Sequence, residues 1–330
     1  MLQVIHKENA FAINSTVIND FYEAYKDDPV MKTVDAFLCY DPPAICELFE
    51  PFNRSLIIIF TARYYYNRND LRSKVLWNSK LSRMARDPKN IIAANNIYDV
   101  KVVEYYTGIK PVYLPNYCNY TNATYTPTRP GYLLAKRRPN TYLNYWFKRQ
   151  YDLVTSKSTS GRVQELIVVD QRYPFYNFTD LAAHRGIVHL PYQVSVMSVF
   201  EQYRMNVPLF FPSQQLLLRW NAEHHLLIGR VITWFSQRPH PSQRHIPNPV
   251  EDRDPKAVAY WLKYADFYTL PHIIYFDSIE HLVELLERFT MDDLQAVSGR
   301  MKQYNANLKD KLMHKWTGIL QNIAKYRPAT

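Results

Sequence analysis

Glycine is scarce in this chain, with only 7 in 330 residues, about 2 % against a usual 7 % or so. The seven stand apart, at Gly108, Gly131, Gly161, Gly186, Gly229, Gly299 and Gly318. No G-x-G-x-x-G turn and no G-x-x-x-x-G-K-[ST] loop can be written. Classical dinucleotide binding, P-loop phosphate binding and the kinase glycine loop are thereby excluded. Cysteine is equally sparse. Cys39, Cys46 and Cys118 are an odd number without CxxC spacing, and they read as buried thiols rather than a disulfide frame or zinc site. No H-x-x-x-H pair is present, and His224 and His225 are merely adjacent, so metal dependence is not expected. A G-x-S-x-G elbow is absent too, which leaves serine-hydrolase chemistry unsupported.

Long apolar runs are also missing. The longest, such as Leu56 to Phe60, fall far short of the roughly 20 residues of a membrane span. The first residues show neither a charged start nor an apolar h-region, and the chain reads as intracellular. Asn-x-Ser/Thr triplets begin at Asn14, Asn53, Asn119, Asn122 and Asn177. Without an export signal they read as chance occurrences in an Asn-rich chain.

What is present is positive charge and aromatic mass. Forty Lys and Arg face 30 Asp and Glu, for a net charge of +10 and a pI near 9.3. Such a balance favours anionic partners: nucleic acid, anionic lipid or a phosphorylated small molecule. With 27 Tyr and 16 Phe, the chain has the material for ordered cores, and its length suggests two domains.

Short apolar runs alternate with helical stretches, the pattern of an α/β protein with parallel sheets. Strands are expected over 34–40, 56–61, 91–94 and 111–114, with helices over 44–52, 73–86 and 98–107 between them. Residues 116–130 are polar, aperiodic and carry two prolines, which reads as a linker. A second cycle follows: strands at 132–135, 165–169, 186–190 and 207–211, with helices at 142–153, 179–184 and 195–205. Residues 237–255 read as a Pro-rich surface loop. A helix at 257–264 and a strand at 273–276 resume the pattern, and the chain from 279 to 323 reads as almost wholly helical.

The most informative stretch is 192–213. A buried strand ends at Pro191 and Tyr192, two serines open a helix, and Glu201 lies about 1.5 turns into it. Ser195 or Ser198 can cap that helix and leave backbone N–H groups facing an anion. That would bind phosphate without a glycine turn, and Glu201 could accept hydrogen bonds from a ribose diol. The same spacing also describes an ordinary capped helix with a solvated Glu.

This stretch resembles the donor-binding motif of GT-B glycosyltransferases: strand, Ser-containing turn, helix with Glu, and a Pro (here Pro208) before the next strand. By that resemblance Glu201 is the ribose ligand, and Tyr192, Ser195 and Ser198 stand on the donor side. The glycine-containing form of the motif is absent. Residues 91–116 are similar to the end of a GT-B N-terminal domain, and 276–286 with the helices after them resemble a GT-B C-terminus. The order of motifs looks most like the exostosin-like branch found in microalgae and their large DNA viruses. The resemblance implies two Rossmann-like α/β domains facing across a cleft: an acceptor domain over 1–125 and a nucleotide-sugar domain over 126–305. Residues 306–330 would be a helix crossing back to the first domain. With no export signal read at the start of the sequence, the expected setting is the cytoplasm, the host cytoplasm if the chain is viral.

Other residues fit that scheme. Lys136 and Arg137, followed by Arg138, come directly after the first strand of the second cycle, where parallel sheets bind ligands. Arg suits bidentate phosphate contact and Lys acts as a point charge, although three consecutive cations also describe a solvated run. Arg172 follows the next strand. Asp41, at the end of strand 34–40, is the candidate base, since inverting transfer needs a group to take the acceptor proton; it also suits a helix N-cap. Glu47 is the reserve, and Arg63, beyond the second strand, is an acceptor-side candidate. Asp252-Arg-Asp254 spells the D-x-D of metal-dependent GT-A enzymes, but in the Pro-rich loop it reads as solvated.

The resulting expectation is a metal-independent, inverting enzyme without cofactor. It would move a sugar from a UDP-sugar, with UDP-xylose one guess, to a glycan hydroxyl. The rival expectation is a non-enzymatic, basic nucleic-acid-binding protein, suggested by the charge and by the interleaving of Tyr with Lys and Arg over 142–149. No recognised nucleic-acid module supports it.

Overall fold

A computed structural model describes residues 13–61, 64, 71–135, 142–158, 161–227, 238–251 and 253–327. The chain forms two compact units. The first comprises Met1–Pro115, Gly229–Val258 and Lys311–Thr330; the second comprises Asn116–Ile228 and Ala259–Asp310. Both are α/β, each around one parallel sheet.

In the first unit β1 (Ala36–Cys39), β2 (Ser55–Phe60), β3 (Ile91–Ala94) and β4 (Val112–Tyr113) pair in sequence order, all parallel. Strand β2 is a near-continuous apolar run and is buried along almost its whole length, as strands covered on both faces are. Helices Leu71–Met84 and Ile97–Thr107 make the second and third crossovers. The first crossover departs from expectation. Instead of an α-helix over 44–52 it contains two 3₁₀ segments, Pro43–Leu48 and Glu50–Phe52. Pro51 lacks the N–H that an α-helical ladder through residue 52 needs, whereas the start of a new 3₁₀ turn tolerates it.

Helix Ile97–Thr107 shows how its sequence sets its ends. Asn96 caps it, its side chain accepting from the Asp99 amide at 2.7 Å. Gly108 closes it at φ +73°, where other residues are strained. A Cβ on Gly108 would also lie 2.8 Å from the His240 ring.

In the second unit β5 (Tyr132–Leu134), β6 (Leu166–Val168), β7 (Ile187–Val188), β8 (Leu209–Pro212) and β9 (Ile274–Phe276) form a parallel sheet in the order β6-β5-β7-β8-β9. The chain steps from β5 to β6 on one side, then crosses back to β7 on the other. Its winding therefore reverses between β5 and β7, whereas the sheet of the first unit never reverses. Tyr132, Leu133, Ile187, Leu209, Phe210 and Phe211 are fully buried around these strands.

The stretch 116–130, expected as a linker, folds into the second unit. The Tyr125 amide donates to Met205 O at 2.8 Å and Thr126 N to Ala182 O at 3.0 Å. The buried Tyr125 ring ends in a hydroxyl donating to Arg185 O at 2.9 Å. Its polar composition hides this, because tyrosines supply both the apolar area and the hydrogen bonds.

Helix Met291–Ala324 is 34 residues long. Asn305 Nδ2 donates to Tyr203 O and Asn206 Oδ1 at 2.9 and 2.8 Å in the second unit. Farther along, Lys315 Nζ donates to Tyr113 O at 2.7 Å and Asn322 Nδ2 to Pro88 O at 2.9 Å in the first. No helix among the described residues is long and apolar enough to cross a membrane.

Gly186 provides a stability test. A Cβ there would stand 2.9 Å from both Phe210 Cε2 and Pro208 O, one of them backbone. Gly186→Ala is expected to destabilise the protein by about 1–3 kcal/mol through overpacking, read from the urea midpoint. An unchanged midpoint would show that β7 and β8 can separate at no cost.

Candidate functional site at the strand ends

An open parallel sheet binds ligands beyond the C-terminal ends of its strands, where the winding reverses. The second unit has one such place, between β5 and β7. On the β5 side, Asn144 in helix Tyr142–Thr155 is buried, and its Nδ2 donates to Ala135 O at 2.9 Å. Its Oδ1 has no hydrogen-bond partner among the described residues. Lys136 and Arg137 follow β5 in sequence but lie outside the described residues. Arg172 ends the short helix Val169–Arg172 after β6 and is exposed.

On the β7 side the chain passes through His189, which is buried. Its Nε2 lies 2.6 Å from Gln202 Oε1, so with the amide oxygen accepting, Nε2 carries the proton. The ring stacks on Phe211 at 4.5 Å, and Phe211 stacks on Phe267 at 4.8 Å. Burial pushes the His189 imidazole down to about 4, against the opposing effect of the Gln202 bond. His189 is thus neutral at pH 7 and acts as a structural peg under segment 190–196. The Val194 carbonyl there accepts from Asp266 N at 2.9 Å.

Tyr192, Ser195 and Ser198 are half-buried along this segment and the start of helix Met197–Arg204. The expected serine cap is not formed. The N-cap is Val196, with no side-chain cap hydrogen bond, because Ser195 falls one residue too early and Ser198 is already inside the first turn. Any anion held at this helix end would meet backbone amides and serine hydroxyls that are not tied up as caps.

Glu201 lies on the same helix and is half-buried. Its Oε1 accepts from the Tyr120 hydroxyl at 2.6 Å. Arg204, one turn on, donates to Asn119 Oδ1 at 3.1 Å and lies over the Tyr117 ring at 4.8 Å. Residues 116–121 therefore orient the carboxylate of Glu201 and cover that flank of the helix. The sequence reading missed Tyr120 by assigning it to a linker.

In the first unit, Asp41 follows β1 and is exposed. Thr61, after β2, donates from Oγ1 to Tyr40 O at 3.2 Å, and Asn95 N, after β3, donates to Phe60 O at 3.0 Å. Asp41 is thus one of a row of polar residues along adjacent strand ends. Glu47 is displaced as a candidate base. It is 1 % exposed and ion-paired with Lys80, so no acceptor hydroxyl can reach it; the 3₁₀ turn aims it inward. Arg63 lies outside the described residues, as does Asp252 of the D-x-D triplet.

A buried polar cluster after β3 also escaped the sequence reading. Asn96 Nδ2 donates to Asn95 Oδ1 at 2.7 Å and to Asp99 Oδ2 at 2.6 Å, and all three residues are buried. Its signal was available: Asn followed three residues later by Asp, just after an apolar run, is a capping pattern. Among the described residues no three His, Cys, Asp or Glu side chains converge as a metal site. The three cysteines are buried, and burial raises the Cys118 thiol to about 11, away from reactive thiolate character. Comparison of the chain with protein-family models, curated proteins and solved structures identifies no match.

Proposed function

We propose that this chain is a glycosyltransferase of GT-B type that binds a nucleotide diphosphate sugar on its second unit. One observation carries the reading: the sheet of that unit reverses its winding between β5 and β7, and Tyr192, Ser195, Ser198 and Glu201 follow β7 directly. In this reading the diphosphate is held by the amides and hydroxyls at the start of helix Met197–Arg204, with Lys136 and Arg137 as counter-charges. Glu201, oriented by Tyr120, takes the ribose diol. These groups would stabilise the departing diphosphate as negative charge develops on it. Asp41 takes the proton of the acceptor hydroxyl. The donor is a UDP-sugar, with xylose one option, the transfer inverts, and no metal takes part. Its setting in this reading is the cytoplasm, and its kind the exostosin-like branch that the order of motifs resembles.

A thermal-shift panel of nucleotides and nucleotide sugars, with and without EDTA, tests this. UDP at about a hundred times its Kd adds roughly 2.7 kcal/mol of stability, and that gain is expected to survive chelation. Glu201→Ala is expected to abolish the shift, and Tyr120→Phe to weaken it. The opposite pattern is steep salt dependence with RNA or DNA and no protection by any nucleotide sugar. It would replace this reading with nucleic-acid binding, which the +10 charge also favours.

A further inference from the structure

The first unit has a polar concavity at the end of its sheet where strands start, opposite the strand ends near Asp41. Two cavities of about 300 and 430 Å³ share Ser82, Arg86, Thr107 and His240 as lining. They lie where helices Leu71–Met84 and Ile97–Thr107 end, at the edge from which β3 and β4 start. Positions 78, 82 and 86, with 79 and 83 beside them, repeat at helical spacing and turn one face toward the cavity.

The lining is rich in donors. Arg86 is exposed, and its guanidinium makes no hydrogen bond or ion pair among the described residues. The hydroxyls of Ser79 and Ser82 likewise have no partner among those residues. Arg83 shares its guanidinium with Glu50 at 2.7 Å. His240 comes from a separate part of the chain. Its amide donates to Tyr105 O at 2.8 Å, and its Nδ1 meets Ser242 Oγ at 2.9 Å and accepts from Ser242 N at 3.4 Å. That leaves Nε2 as the proton-bearing nitrogen of the neutral ring. The ring sits against Gly108, where any side chain would displace it. No Asp or Glu lines either cavity.

A helix end with its partial negative charge explains one cation at Arg83 or Arg86. It does not explain an unpaired second cation, two free hydroxyls and an imidazole from another segment around one concavity without a carboxylate. Donors of this kind match an acceptor-rich anion, and Arg suits phosphate in particular. The volume matches a small molecule rather than a polymer groove.

We propose that this concavity binds a small phosphomonoester, its phosphate held by Arg86, Ser82 and His240. The proposal does not depend on the glycosyltransferase reading. Isothermal titration of the full chain with glycerol phosphate at fixed ionic strength tests it, with glycerol and inorganic phosphate as companion probes. Glycerol phosphate and inorganic phosphate are expected to bind and glycerol not. Arg86→Ala should weaken binding at least tenfold, and Ser82→Glu should abolish it by placing a carboxylate at the phosphate. Arg72→Ala, which removes an exposed cation of the same helix that lines neither cavity, should change affinity less than twofold. No binding to wild type would overturn the proposal. So would equal weakening by Arg86→Ala and Arg72→Ala, the mark of diffuse attraction, or displacement of glycerol phosphate by a short RNA, which would make the face a nucleic-acid surface.

Discussion

Replacing Asp41 by asparagine is expected to lower turnover by about 10²- to 10⁴-fold, the usual worth of a positioned general base, while UDP still raises the melting temperature. The two readouts separate because Asp41 belongs to the first unit and Tyr192, Ser195, Ser198 and Glu201, the residues proposed to hold the nucleotide, to the second. Asp41 is exposed after β1, and asparagine keeps its shape, so the fold should persist. Release of UDP in the presence of acceptor measures the first effect, and melting with UDP the second. Full activity in Asp41→Asn would remove it as the base. Loss of the UDP shift together with activity would show that the residue supports structure rather than proton transfer.

Acidification is expected to cost the protein about 3 kcal/mol through His189 alone. Its imidazole is held down to about 4 in the folded protein by burial, against about 6.5 in the unfolded chain. The folded state therefore keeps His189 neutral while the unfolded state gains a proton, and stability falls where the unfolded state binds more protons. The contribution is fully present above about pH 6.5, drops as pH falls from there to about 4, and is constant below. Burial also lowers His184, which adds loss of the same sign. Urea midpoints measured from pH 7 to pH 4 follow the effect, and His189→Gln, which cannot take the proton, should flatten the curve. An unchanged slope in that variant would mean that the acid loss comes from other groups.

Much of the architecture was legible because parallel strands buried on both faces must be written as apolar runs. Leu56 to Phe60 and Leu209 to Phe211 could be little else, and the helices between strands follow from their spacing. The crossover at 43–52 forms two 3₁₀ segments rather than one α-helix, and Pro51, inside the expected helix, carries the signal. The stretch 116–130 failed for a different reason. Polar, aperiodic composition marks chain without regular structure, and that much is true of it, but irregular chain can still dock through tyrosines such as Tyr120 and Tyr125. Ser195 and Ser198 show the limit of cap prediction. A shift of one residue in the helix start moves the cap to Val196, and helix ends are the least determined part of a sequence reading.

The shortage of glycine by itself determined that no glycine-rich phosphate loop exists here, since such loops need a backbone without Cβ at fixed spacing. The excess of basic residues by itself determined a net charge of +10, which favours anionic partners. Only the tertiary structure decided where the described charges and carboxylates lie. Strand order places the reversal between β5 and β7, and order depends on pairings between segments far apart in the chain. Burial turned Glu47 from a candidate base into an ion-paired core residue. The meeting of Arg86 with His240, some 150 residues later, at a glycine that only the fold explains, could not be read from spacing at all. Local periodicity encodes which face of an element is apolar, whereas the convergence of distant polar side chains is set by how those faces pack.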